Sequence, residues 1–143
     1  MTLARSLSLF LVATSLASVG LAADGGRKLQ TNLTGAAEVP GPGDTDGRGS
    51  ASVTVNSGQR KVCYTLSVRN IDTATMAHIH VGSAAVAGPV IVTLRAPITG
   101  SSSGCVTVSR ALALKILKSP AAYYVNVHNA AFTGGAIRGQ LAK

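Results

Sequence analysis

The sequence predicts an all-β domain, a Greek-key-like β-sandwich or flattened barrel of about eight strands with one short helix near 110–118. Three observations predict it. Apolar and polar residues alternate in short runs along most of the chain. Gly and Pro, 16 and 5 in number, punctuate those runs at close intervals. One segment alone places its apolar residues at helical spacing.

The chain opens with residues built for export. Arg5 provides a positive start, and Leu7 to Leu16 form a short apolar run. Gly20-Leu21-Ala22 then supplies the small residues that a signal peptidase reads. Residues 1–22 are therefore expected to be a signal peptide, with cleavage after Ala17 or Ala23 as alternatives. A bilayer span needs about 20 apolar residues, and this run is shorter and diluted by Ser and Thr. No later stretch is apolar enough to span, so the mature chain is expected to be soluble and extracytoplasmic.

Residues 23–28 read as a flexible leader and 29–143 as one β domain. Strands are expected at 29–34, 49–55, 61–68, 76–81, 90–94, 105–108, 122–128 and 136–141. Val39-Pro40-Gly41-Pro42-Gly43-Asp44 is a loop, because Pro cannot donate to a ladder. Ser57-Gly58-Gln59 is a hairpin turn, and Ser101-Ser102-Ser103-Gly104 an exposed polar loop. Ser109 is placed to cap a helix that Pro120 stops, with Leu112 and Ile116, or Ala113 and Leu117, on its inner face.

Composition narrows the function. Thirteen Lys and Arg stand against five Asp and Glu, a net charge of +8. The basic residues are scattered along the sequence, and past the signal peptide the aromatic residues are Tyr64, Tyr123, Tyr124 and Phe132. A nucleic-acid partner is not expected, since stacking aromatics are not interleaved with a basic run. Attraction to anionic surfaces remains open. Export makes a Cys63–Cys105 disulfide the expected state of the two cysteines, worth roughly 4 kcal/mol by loop entropy. Asn32-Leu33-Thr34 is an N-glycosylation acceptor in a eukaryotic setting.

No catalytic motif is present: there is neither Gly-x-Ser-x-Gly nor a phosphate-cradling glycine loop. Asp24, Asp44, Asp46 and Asp72 fall in leader or loop contexts, and Glu38 is expected to pair with a nearby Arg. The chain is therefore not read as an enzyme.

The three histidines carry the chemistry. Side chains alternate faces along a strand, so with Ile79 and Val81 inward, His78 and His80 project outward together. With Val125 and Val127 inward, Tyr124, Asn126 and His128 project outward, as do Arg138 and Gln140 beyond Ile137. If the two histidine strands are neighbours, His78, His80 and His128 meet on one solvent-side patch. Three imidazoles suit one copper or zinc ion. Met76 shares their parity and would favour copper. Tyr124, Asn126, Arg138 and Gln140 are the other expected neighbours.

Five motifs in order resemble one family. They are Leu33-Thr34-Gly35-Ala36-Ala37-Glu38-Val39-Pro40, Ala77-His78-Ile79-His80-Val81-Gly82, Gly88-Pro89-Val90-Ile91-Val92-Thr93-Leu94, Tyr123-Tyr124-Val125-Asn126-Val127-His128 and Gly135-Ala136-Ile137-Arg138-Gly139-Gln140-Leu141. From about Leu29 to Leu141 the chain resembles the CHRD domain, a module named from chordin that also occurs alone in secreted microbial proteins. The resemblance implies an extracellular, immunoglobulin-like β-sandwich or barrel, and little about function. Nothing resembles chordin's cysteine-rich repeats. The His-Ile-His strand also looks faintly like the copper strand of copper/zinc superoxide dismutase, but three histidines are too few for that enzyme's paired metals. Two readings follow: a secreted module holding one copper or zinc ion, or a metal-free adhesion module for an extracellular protein or polysaccharide.

Overall fold

A computed structural model describes residues 25–143. The expected signal peptide, with residues 23 and 24 of the leader, lies outside the described residues. Eight strands follow in order: β1 (Arg27–Thr34), β2 (Arg48–Asn56), β3 (Lys61–Arg69), β4 (Ala74–Val81), β5 (Val90–Leu94), β6 (Ser101–Thr107), β7 (Tyr123–Asn129) and β8 (Ile137–Gln140). Helix α1 (Arg110–Lys118) joins β6 to β7. Every ladder is antiparallel, and the strand order is β5-β4-β7-β8-β1-β2-β3-β6.

Of the two shapes left open, the single continuous sheet is barrel-like. It curls until its edge strands β5 and β6 approach each other, and the segment after β5 bridges them. There the Arg95 amide donates to the Tyr64 hydroxyl at 2.7 Å, and the Ser102 hydroxyl donates to the Arg95 carbonyl at 2.7 Å. Alternation fills the interior: Leu29, Leu33, Val53, Val55, Val62, Ile79, Val125 and Val127 are fully buried.

Two expectations are corrected. Arg27 and Lys28 are not leader but the start of β1, paired with Val55 and Thr54. Ser101 to Gly104 is not a loop but the first half of β6, paired with Ser67 to Tyr64. The reason is the same in both cases. A buried or half-buried neighbour strand needs partners for its backbone N–H and C=O groups. The backbone of any non-proline residue meets that need, and polar side chains are tolerated there when they point to solvent, as those of Lys28, Ser101 and Ser103 do.

Helix α1 closes one end of the barrel. The Ser109 hydroxyl accepts from the Leu112 amide at 3.1 Å, and Lys115 and Lys118 sit in the last turn, where the helix dipole favours cations. Its buried face is Ala113 and Ile116, one residue from each expected pair, with Leu112 and Leu117 half-buried beside them.

Cys63 and Cys105 face each other across the β3–β6 ladder and are bonded. The bond tethers edge strand β6, which has no second strand to hold it. Replacing both cysteines by Ser is expected to lower the unfolding free energy by about 2–4 kcal/mol. Urea denaturation checks the magnitude, and faster amide exchange confined first to β6 checks the place.

A buried histidine cluster

β4 and β7 are neighbours, so the outward histidines do meet. In their ladder Met76 lies opposite His128, His78 opposite Asn126 and His80 opposite Tyr124. His78 and His128 are therefore diagonal neighbours, and His78 Nδ1 lies 3.1 Å from His128 Nε2. Ring centroids are 5.5 Å apart for His78 and His80, and 6.4 Å for His80 and His128. One nitrogen from each ring falls within 4.8 Å of the others.

The expectation of a solvent-side patch is corrected. His80 and His128 are 8% and 6% exposed, Asn126 3% and Arg138 1%. Three loops roof the outer face of β7 and β8. In loop 35–47, the Asp44 amide donates to the Ala136 carbonyl at 2.8 Å. Loop 82–89 is held by the Gly82 amide on the Ala122 carbonyl, also at 2.8 Å. Loop 130–136 returns on β7 through the Ala136 amide on the Val127 carbonyl. Strand parity tells which residues share a face, but not whether a loop lies over it.

Those loops also orient the rings. His80 Nδ1 lies 2.8 Å from the Gly88 carbonyl, and His128 Nδ1 lies 2.9 Å from the Thr133 carbonyl. A carbonyl only accepts, so both Nδ1 atoms carry the proton, and in the neutral rings both Nε2 atoms keep their lone pairs. His128 Nε2 must then accept from His78 Nδ1. His80 Nε2 is buried with no hydrogen-bond partner. Sequence reasoning missed Gly88 and Thr133, because a backbone carbonyl has no side-chain signature.

The expected neighbours divide by role. Tyr124 stacks on His80 at 4.7 Å with 7° between the rings, and the Arg138 guanidinium carbon lies 3.4 Å from the Tyr124 centroid. Since β7 lies between β4 and β8, His80 and Arg138 cover opposite faces of that ring. The Tyr124 hydroxyl accepts from the Gly88 amide at 3.0 Å, so it braces the loop holding His80. Arg138 Nη2 donates to the Ser83 carbonyl and to Gln140 Oε1, and Gln140 Nε2 reaches the carbonyls of Gly82 and Ala121. These residues support the cluster rather than joining it. Met76 is 46% exposed at its rim. Asn32 is exposed on β1 opposite Ser50, away from the histidines.

Glu38 is buried at the edge of this polar layer, its carboxylate against Gly135. A Cβ on Gly135 would stand 2.5 Å from that carboxylate, and its φ of +144° already favours glycine. Burial pushes the Glu38 carboxyl up to about 7, against the opposing pull of the Arg138 charge, the Val39 amide and the Asn126 amide. The expected Arg partner is thus Arg138, acting through its charge. Burial lowers the pKa of His78, and the nearby His128 and His80 lower it further. Burial also lowers that of His128, partly offset by its bond to Thr133.

A family model described as CHRD domain matches residues 29–141. No curated protein and no solved structure matches the chain.

The two kinds of shift act oppositely on stability. His78 and His128 have folded values below 6.5, so their contribution is present above 6.5 and lost as pH falls through the folded values. Glu38 is raised from 4.5 to about 7, so its contribution is full below 4.5 and lost as pH rises through 7. Glu38→Gln removes only the second. Relative to the unsubstituted chain, this variant is expected to gain about 2 kcal/mol between pH 5 and pH 8. Urea denaturation in the presence of a chelator at the two pH values measures it; an unchanged difference would show that Glu38 does not titrate in this range.

Proposed function

The chain belongs to the CHRD family, and from that premise we propose that it is a secreted binding module that holds one copper or zinc ion at His78, His80 and His128. The observation that carries this reading is the pair of Nδ1 anchors. Metal-ligating histidines characteristically donate their other N–H to a carbonyl or carboxylate, which fixes tautomer and ring orientation. Here the Gly88 and Thr133 carbonyls do this for His80 and His128. Both Nε2 lone pairs are left inside the cluster, and the buried one on His80 has no hydrogen-bond partner.

The donor set is all nitrogen, which suits copper or zinc better than magnesium or calcium. Zn–N bonds of about 2.0–2.1 Å at a tetrahedral angle bring ligand nitrogens to about 3.4 Å from one another. His78 and His128 already stand at 3.1 Å, so the ion would replace their mutual hydrogen bond. The remaining closure falls to His80 and its loop. Lowered pKa values keep His78 and His128 neutral near pH 7, so protons compete little for the site. A fourth position is left for water, or for the Met76 thioether if the ion is copper. Secretion is supported by the Cys63–Cys105 bond, which persists in oxidising compartments.

One observation favours the second reading, a metal-free adhesion module. The His78–His128 hydrogen bond already satisfies two of the three rings without an ion. Titration calorimetry with Cu(II) and Zn(II) separates the two. The metal reading expects one ion per chain, with His80→Ala and His128→Ala each weakening uptake by about a hundredfold or more. Equal uptake by those variants, or a melting temperature that neither ion moves, sinks it.

A further inference from the structure

The net charge, scattered in sequence, is sorted in space. Arg27 and Lys28 begin β1, and Arg60 and Lys61 lead from the β2–β3 turn into β3. All four stand at the barrel end that α1 covers, where the Val108 amide after β6 bonds the Arg60 carbonyl. Helix α1 adds Arg110, Lys115 and Lys118, and Lys143 follows the Gln30–Ala142 bridge toward the same end. All eight are exposed, and no acidic residue among the described residues lies with them. At the opposite end Arg48, Arg69 and Arg95 are equalled in number by Asp44, Asp46 and Asp72, while Arg138 and Glu38 are buried together in the polar layer.

A second feature adjoins the basic end. A groove of about 540 Å³ runs over the outer face of β1, β2 and β3. It is lined by Gln30, Asn32, Ser50, Ser52, Thr65 and Ser67, with Lys143 at its margin. Gln30, Ser52 and Thr65 lie side by side across the three strands, and Asn32, Ser50 and Ser67 form the next row. Lys28 continues the Gln30 face of β1 one step, about 7 Å, toward the basic end. Hydroxyls and amides beside a row of cations that no acidic residue among the described residues joins are the groups that a charged sugar polymer uses.

We propose that this end and the adjoining groove bind an anionic polysaccharide, its sulfate or carboxylate groups on the cations of β1, β3 and α1 and its hydroxyls along the groove. The surface lies apart from the histidines themselves, which are on β4 and β7, and meets their supporting residues at Gln140, which also lines the groove; the proposal does not depend on the metal reading. A lipid headgroup surface fits less well. The exposed apolar side chains at this end are Val86, Val90 and Leu114, without an aromatic to seat in the interface. Nucleic acid lacks stacking partners for the same reason. A glycan on Asn32 and a polysaccharide in the groove exclude one another, so the chain is tested unglycosylated.

The test measures binding to dextran sulfate, neutral dextran and phosphatidylglycerol vesicles, with folding of every variant checked by its melting curve. Dextran sulfate is expected to bind in a salt-dependent manner and neutral dextran not at all. Arg60→Glu with Lys61→Glu should weaken binding about tenfold or more, whereas the same charge change at the opposite end, Arg69→Glu with Arg95→Glu, should weaken it no more than about threefold, since only Arg69 of that pair lies one step beyond the groove's Ser67. Ser52→Val with Thr65→Val, at constant charge, should weaken it about threefold. Equal losses in the two charge-reversal variants would mean that net charge alone attracts the polymer and would overturn the proposal. Tighter binding to vesicles than to dextran sulfate would overturn it in favour of a lipid surface, and full binding by the Ser52/Thr65 variant would remove the groove from it.

Discussion

Most of the site depends on one constraint: the outer face of β7 and β8 is polar, yet it is buried. Buried polar groups need partners, and here backbone groups of three loops provide many of them. Arg138 and Gln140 hold loop 82–89 through the carbonyls of Ser83 and Gly82, while Tyr124 holds the same loop through Gly88. Asn129 holds the start of loop 130–136 by accepting from the Phe132 amide at 2.8 Å. The loops then return the favour to the histidines, offering the carbonyls of Gly88 and Thr133 to their Nδ1 atoms. A face that would be ordinary solvated surface on another sheet becomes a low-dielectric layer with oriented rings.

That layer is not fully satisfied. Glu38 Oε1, Asn126 Oδ1, Arg138 Nη1 and His80 Nε2 are all buried without a hydrogen-bond partner. Each such group is costly, by about 1–3 kcal/mol. The set spreads across β7, its two neighbours and loop 35–47, so it is a property of the layer and not of one residue. A ligand bound through His80 Nε2 would relieve part of it, which links stability of this face to occupancy of the cluster. The carboxyl of Glu38 relieves another part by keeping its proton to about pH 7, reducing the charge that must be buried.

The barrel separates this layer from its charged surface. Apolar side chains fill the interior, the histidines occupy the outer side of β4 and β7, and the excess cations collect around α1 and the start of β1. The two exterior regions meet at Gln140 of β8, which lines the groove and bonds the carbonyls of Gly82 and Ala121, and at the Gly82 amide, which bonds the Ala122 carbonyl just after α1.

Local pattern was enough for much of this. Period-two alternation gave all eight strands, mostly within one or two residues, because inward Val, Leu and Ile repeat at that spacing. The cap at Ser109 and the stop at Pro120 bounded α1, since both act within a single turn. Parity placed His78, His80 and His128 on one face, and with the family motifs it singled out the residues that converge. What lay beyond reach was non-local. Ser101 to Gly104 carries no apolar signal and becomes a strand only because β3 has an unpaired edge to offer. Burial of His80, His128 and Arg138 depends on loops that arrive from 35–47, 82–89 and 130–136, and the carbonyls that orient the rings have no side-chain identity to read. The charge looked diffuse because adjacency in sequence says nothing about which strand ends meet. Local spacing determined the elements and the faces; only the tertiary structure decided what covers those faces, since that is set by where distant backbone comes to rest.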